Sequence, residues 1–280
     1  MTAGDRFQWD VRASCSSTIG LGSRKVKMRH NRTISTLAGA IFLAAGSAVV
    51  LPAAAQARAE SVPCNEAALV SAVDAANAAG GGTVALTPGC TYTLTSAHGD
   101  DGVHGPAGLP VITTPITFEG NATTITRAPT AAAFRIGQVA PTGGITLKAV
   151  TLSKGHAATV GNDDGGGILS FGAVTLTGGA LSGNTANGRG GALYSTGTPS
   201  AATFTNSTVN GNTAGQGGGI ASVNGMLTLT SSVVNTNAAT VNPGGIYYVA
   251  GSATLNTSTV TANTATNCTG SPSPVPGCIG

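Results

Sequence analysis

Four copies of one eleven-residue stretch constrain this chain more than any other feature. They are Val174–Asn184 (VTLTGGALSGN), Ala202–Asn212 (ATFTNSTVNGN), Leu227–Asn237 (LTLTSSVVNTN) and Ala253–Asn263 (ATLNTSTVTAN). Each ends in Asn, followed by Thr-Ala in three copies and by Ala-Ala in the other. Weaker copies lie upstream at Ile116–Thr126 and Ile145–Gly155, and Val84–Leu94 opens the series. Successive copies start 32, 29, 29, 28, 25 and 26 residues apart. Such a period marks a solenoid, in which a repeat too small to bury its own apolar face stacks on its neighbours.

Within each strong copy, positions 1 and 3 are apolar or small, with Thr between them, which is strand alternation with one face inward. Positions 5 and 6 carry small or polar residues suited to a bend, and Leu181, Val209, Val234 and Val260 return an apolar side chain at position 8. A third strand is expected at the Gly-Gly segments Gly166-Gly167-Ile168, Gly190-Gly191-Ala192, Gly218-Gly219-Ile220 and Gly244-Gly245-Ile246. Coils stacked ~4.8 Å apart place equivalent residues in columns. Asn184, Asn212, Asn237 and Asn263 then form a ladder, each amide donating to one neighbour and accepting from the other. Leucine-rich repeats have a similar period, but their Asn falls closer to the strand leucines. Hexapeptide helices would close in multiples of six without this variation in loop length. The fold expected is an all-β, right-handed parallel β-helix of about seven coils with a short N-terminal capping helix.

Gly190-Gly191-Ala192-Leu193 resembles the GGA(I/L/V) tetrapeptide of polymorphic outer-membrane protein repeats. Leu181–Asn184, Val209–Asn212, Val234–Asn237 and Val260–Asn263 are similar to the FxxN element of those repeats, with an aliphatic residue for Phe. From about Cys64 onward the chain resembles secreted bacterial right-handed β-helix repeat proteins, which share the fold of pectin lyases. The resemblance implies the fold and an extracellular setting, and it is poor in functional detail.

Residues 1–57 read as a leader. Arg29, His30 and Arg32 supply a basic region, Leu37–Leu51 an apolar one, and Ala55-Gln56-Ala57 a small-residue cleavage site before Arg58. Counting from Met28 gives a leader of ordinary length. The apolar run is short for a ~20-residue membrane span, so none is expected in the mature chain. Beyond Arg58 five cations face eight acids, a net charge of −3, so the basic balance of the full chain belongs to the leader. Nothing in the remainder suits nucleic-acid binding. The mature chain divides into a capping segment (58–82), the β-helix (83–265) and a tail (266–280).

Asn65 can cap a helix over Glu66–Ala79 that ends at Gly80, with Leu69, Val70 and Val73 on one face. Its expected place is over the first coil, because a solenoid end exposes an unpaired edge and an apolar cross-section. Four cysteines follow the leader and allow three pairings; proximity in sequence favours Cys64–Cys90 and Cys268–Cys278. The insertion Thr95–Pro115 carries His98, Asp100, Asp101 and His104, which could ligate a metal but read better as a solvated loop. No metal site is assigned.

Lys148, Lys154, His156, Asp163, Asp164 and Arg189 make a second polar group, with Asp164 and Arg189 on adjacent coils. The expectation is a surface ion pair worth ~0–1 kcal/mol. From Gly190 to Gly280, 91 residues contain no Asp, Glu, Lys, Arg or His, so no general acid or base is available there. Asp163-Asp164 is similar to the paired Asp of polygalacturonases, but the Gly-His-Gly and Arg-Ile-Lys elements of that family are missing; Gly155-His156-Ala157 comes closest.

These residues point to a secreted structural or binding module, adhesin-like, contacting extracellular polysaccharide, cell-surface components or proteins. The alternative is a polysaccharide lyase or glycosidase working from the first four coils. Its candidate catalytic residues are Asp163, Asp164, Arg189 and His156. No cofactor is expected, with calcium required only under the alternative, and the sequence leaves the oligomeric state open. The exported protein should begin at Arg58 or, with Ala57-Arg58-Ala59 as the site, at Glu60; N-terminal sequencing checks this, and an intact Met1 or Met28 on exported material contradicts it.

Overall fold

A computed structural model describes residues 60–280 except Pro199. The cleavage residues Ala57 and Arg58 and the rest of the leader lie outside the described residues. Described strands stack in parallel as a β-solenoid, with one helix, Glu66–Ala78, ahead of them.

The eleven-residue stretches form the first face. Val84, Phe118, Leu147, Leu176, Phe204, Leu229 and Leu255 follow one another in register down it, each opposite the next. After the bend a second apolar column runs Tyr92, Ile125, Leu152, Leu181, Val209, Val234 and Val260. The bend needs a left-handed residue at position 5. Asn206 and Ser231 both have φ 49° there, and Thr257 has φ 46°. Short polar side chains tolerate that conformation better than bulky ones.

The Gly-Gly segments begin the second face, where Gly137, Ile168, Leu193, Ile220 and Ile246 stack in register. This register corrects one alignment: Gly190-Gly191-Ala192-Leu193 matches Gly165-Gly166-Gly167-Ile168, one residue away from the expected match. A Cβ on Gly166, Gly191, Gly218 or Gly244 would strike a carbonyl oxygen of the following coil, which explains the recurrent glycine. The third face is short. His156, Thr185, Thr213 and Ala238 stack along it, and Ala157, Ala186 and Ala214 pack beneath.

The chain completes about five turns rather than seven coils, as the five rungs of the second face show. The first two copies, at Val84 and Ile116, do stack on the first face. After the copy at Val84, however, the insertion beyond Leu94 stands in place of second- and third-face strands and touches the stack through the bridges Ala107–Arg135 and Ile112–Val139. The copy at Ile116 already leads to the rung Gly137–Val139, and after the copy at Ala253 the tail follows instead of a sixth rung.

Asn184 Nδ2 donates to Asn212 Oδ1 (3.0 Å), Asn212 Nδ2 to Asn237 Oδ1 (2.8 Å) and Asn237 Nδ2 to Asn263 Oδ1 (2.9 Å). The backbone N–H groups of Asn184, Asn212 and Asn237 donate to the same oxygens, and each Nδ2 also reaches a carbonyl of the preceding coil. Asn184, Asn212 and Asn237 are fully buried, so this mutual pairing keeps their amides satisfied. A second ladder, unread in the sequence, occupies position 6: the N–H of Ser207 donates to Ser232 Oγ (3.1 Å) and that of Ser232 to Ser258 Oγ (3.0 Å).

Both ends are covered. The Asn65 side chain accepts from the Ala68 N–H, and the helix buries Leu69 and Val73 against the first coil, with Val70 half-buried. Cys64–Cys90 ties this cap down, and Cys268–Cys278 closes the tail. In the tail Asn267 takes the place of a further rung, accepting from Asn263 Nδ2 (2.9 Å) and donating to the Ile279 carbonyl (2.9 Å). Val275 is buried over the last coil.

Asn237→Ala leaves the amides of Asn212 and Asn263 short of a partner and should cost ~1–3 kcal/mol. Asn187→Ala, on an exposed turn, should stay within ~0.5 kcal/mol. Denaturation midpoints of the two variants check this, and equal midpoints would contradict the buried ladder.

Candidate functional site

The corner between the third and second faces brings the polar residues together. Asp164 and Arg189 occupy equivalent positions on adjacent coils, because the Gly165 N–H donates to the Arg189 carbonyl (2.8 Å). Asp164 Oδ1 accepts the Arg189 backbone N–H (2.6 Å), and Oδ2 accepts Arg189 Nη2 (2.9 Å). Gly188 makes room, since a Cβ there would meet the carboxylates of both Asp163 and Asp164. The Arg189 guanidinium lies 4.6 Å over the Tyr194 ring. Burial lowers the Arg189 pKa, but the hydrogen bond and the charge of Asp164 outweigh it and leave the pKa raised. The Asp164 side chain is 22% exposed and that of Arg189 37%, so this is not the freely solvated surface pair expected. A carboxylate that also holds a backbone N–H is anchored more firmly than one paired only through flexible side chains.

The insertion reaches the same corner. Asp101 Oδ1 accepts the N–H groups of Val103 (3.0 Å) and His104 (2.7 Å). Its Oδ2 pairs with His104 Nδ1 (2.6 Å) and accepts Gln138 Nε2 (2.6 Å). Burial works to raise the Asp101 pKa, but the hydrogen bonds from His104 and Val103 hold it well below the usual carboxylate range. Between insertion and corner sits Arg135, only 1% exposed. Its Nη1 donates to the Gly105 carbonyl (2.9 Å) and its Nη2 to those of Asn162 (2.9 Å) and Asp164 (3.2 Å), while Nε–H has no partner. The charges of Asp101, Asp164 and Asp100 offset part of the cost of burying this cation.

These groups border a cavity of about 200 Å³ lined by His104, Arg135, Asp164, Phe171, Tyr194 and Thr196. Phe171 and Tyr194 belong to a small apolar cluster on the outside of the second face, with Leu169, Ala221 and Tyr247. The His104 ring lies 4.5 Å from that of Phe171. Beside the cavity, Asp163, Asn187, Gly188, Arg189, Gln216 and Val241 border a more open trough.

Of the residues expected to carry chemistry, Asp163, Asp164 and Arg189 converge. His156 does not: it stands in the third-face column opposite Thr185 and makes no hydrogen bond or ion pair with them. Burial, with the charge of Arg127, lowers its pKa. Lys148 pairs with Glu119 (2.7 Å), and the Lys154 carbonyl accepts Arg127 Nε (2.9 Å). The insertion residues also part company. His98 pairs with Glu66 (2.8 Å), His104 with Asp101, and Asp100 caps its own turn at the Gly102 N–H. Among the described residues no group of three or more His, Cys, Asp or Glu is placed to hold a metal ion.

Sequence reasoning missed Arg135, Gln138, Phe171 and Tyr194. A signal existed in Phe134-Arg135-Ile136-Gly137-Gln138-Val139, where two polar side chains interrupt an apolar stretch just before a repeat.

Chemically, Asp101 is filled with four hydrogen bonds and, with its pKa lowered, is poorly suited to proton transfer near neutral pH, whereas Asp164 takes two and keeps acceptor capacity. The corner offers fixed hydrogen-bonding groups beside aromatic walls. No protein-family model matches the chain, and no curated protein or solved structure matches it.

Glu66, at the first turn of the helix, accepts from the Thr95 hydroxyl and from the N–H groups of Thr95 and Ser96, besides pairing with His98. Burial works against the charge, but the bonds from Thr95 and His98 bring its pKa down from 4.5 to about 2. A lowered folded-state pKa contributes stability above the unfolded value and loses it as pH falls through the folded one. Glu66→Gln should therefore melt below the wild type at neutral pH, with the gap closing between pH 4.5 and about 2. Melting curves across that range check this; a constant gap would contradict it.

Proposed function

We propose that this chain is an exported binding module that recognises cell-surface or extracellular glycans. One observation carries the reading: the cavity at the corner is lined both by aromatic rings, Phe171 and Tyr194, and by the hydrogen-bonding side chains of His104, Asp164 and Thr196. Sugars present this combination in reverse, with C–H faces that pack on aromatic rings and hydroxyls that both donate and accept. The solenoid beneath is rigid, so the groups are held in place before a ligand arrives.

Export is supported by the leader pattern of residues 28–57 and by the two disulfides, which persist in oxidising compartments. Among the described residues no helix is long and apolar enough to cross a membrane. The resemblance of the repeats to those of polymorphic outer-membrane proteins and secreted β-helix proteins fits the same setting. On this reading the module needs no cofactor.

The enzymatic alternative rests on Asp163, whose carboxylate lines the open trough beside Arg189. A lyase there would need calcium on the carboxylates.

The test is retention of the exported protein on neutral and acidic glycans and on envelope fractions, with turnover measured in parallel, with and without calcium. Binding without turnover, weakened by Phe171→Ala, is the expected result. Turnover abolished by Asp163→Ala/Asp164→Ala in a folded protein would replace the module with the enzyme, and retention on nothing would end the glycan reading.

A further inference from the structure

Four successive coils build the open trough beside the cavity. Backbone bonds string them together: the Gly188 N–H donates to the Asp163 carbonyl (3.0 Å), the Gly215 N–H to that of Gly188 (2.6 Å), and the Val241 N–H to that of Gly215 (2.8 Å). All four residues line the trough, so it runs parallel to the solenoid axis across three strand spacings of ~4.8 Å, or ~14 Å. Glycine keeps its middle low. A Cβ on Gly188 would strike the Asp163 and Asp164 carboxylates, and one on Gly215 the carbonyls of Asn187 and Gly188. Along its length stand Asp163 and Asp164 on the first coil, Asn187 and Arg189 on the second, Gln216 on the third and Val241, 56% exposed, on the last.

This order of groups indicates a ligand. Each of the first three coils offers hydrogen-bonding side chains: carboxylates that accept, a guanidinium that donates, and amides that do both. The last coil offers an apolar surface. A molecule that fills the trough is therefore long and extended, with hydroxyls along its length and C–H surface beside them. Linked pyranoses advance by roughly one strand spacing per unit, so about three units reach from Asp163 to Val241. Charge sets a limit. Two carboxylates stand against one guanidinium in the trough, and Arg189 is already engaged by Asp164 and the Tyr194 ring. A carboxylate on each unit would meet Asp163 and Asp164 as a like charge and find no uncommitted cation among the lining residues. We infer that the trough binds a linear, non-acidic glycan chain lying along the solenoid axis. It shares Gly161 and Asp164 with the cavity, so the inference deepens the glycan-binding reading and rests on it.

The experiment titrates the exported protein by calorimetry with gluco-, manno- and galacto-oligosaccharides of increasing length, from the single sugar upward, and with oligouronates of the same lengths. In at least one non-acidic series, affinity should climb about tenfold between one unit and about three and then level off, with the matching uronates about tenfold weaker. Asn187→Ala and Gln216→Ala should each weaken binding of the longer chains about tenfold while the melting temperature holds. Val241→Asp should weaken the longer chains as much and a disaccharide far less, because only a longer chain reaches the last coil. Affinity that does not grow with length, or that is tighter for uronates, overturns the assignment. So does long-chain affinity unchanged in all three variants, or retention of polymeric glycans with no oligosaccharide bound; in both cases the module reading survives and only the trough falls. Retention on no glycan at all overturns both.

Discussion

Everything in this fold depends on one constraint: each coil is the hydrogen-bonding partner of the next, at a fixed strand spacing. A solenoid coil cannot close its own backbone bonds, so residue types that solve a local problem must recur where the problem recurs. The asparagine ladder is the clearest case. Asn212 is fully buried, yet its Nδ2 reaches Asn237 and the Leu181 carbonyl while its Oδ1 receives two donors from Asn184. Glutamine would be one methylene too long for that column, and a hydrocarbon would leave the Asn184 donors unanswered. The serine ladder at position 6 solves the same problem at the bend, with Ser207 and Ser232 buried and each receiving or giving one bond to its neighbouring coil.

The constraint fails at the two ends, and there the chain spends its irregular sequence. At the front, a helix buries Leu69 and Val73, and Glu66 ties it to the insertion through Thr95, Ser96 and His98. At the back, Asn267 imitates a rung, and the hydroxyls of Ser271 and Ser273 accept the N–H groups of Tyr248 and Ala250 that a further coil would otherwise take. The two disulfides close these segments, one at each end. Between the ends stability is spread over many equivalent contacts, with the columns Leu176–Phe204–Leu229 and Leu181–Val209–Val234 fully or almost fully buried.

What could be read in the sequence follows from this. Residues whose place is fixed by their neighbours above and below were legible: the two apolar columns, the four Asn positions, the stacking of Asp164 on Arg189, and both caps. The glycines were read one residue out at Gly190, because Gly165-Gly166-Gly167 offers two equivalent pairs and only the stacked carbonyls select between them. The coil count was overread for a related reason. First-face strands at Val84 and Ala253 repeat faithfully, but neither is followed by a second-face rung, so a repeated strand does not guarantee a completed turn. Arg135 was illegible because its partners are backbone carbonyls of Gly105, Asn162 and Asp164, and no side-chain pattern announces the path of a loop.

The distribution of charge then separates scaffold from chemistry. From Gly190 to Gly280 there is no Asp, Glu, Lys, Arg or His, so those coils can hold shape without responding to salt or moderate pH. Every guanidinium and carboxylate of the candidate site comes from Asp100–Arg189, the part of the chain where the repeat is interrupted by the insertion and by the loop before Gly165. A regular coil offers only columns of like residues, which suit ladders but cannot set a cation, a carboxylate and an aromatic wall around one space. Breaking the period supplies that variety. The insertion delivers Asp101 and His104, the Asn162–Asp164 loop wraps Arg135, and Tyr194, on the first coil beyond, gives a wall to the cavity they enclose. The site therefore lies where the repeat first becomes regular, with the irregular half supplying the chemistry and the repetitive half the rigidity that holds it.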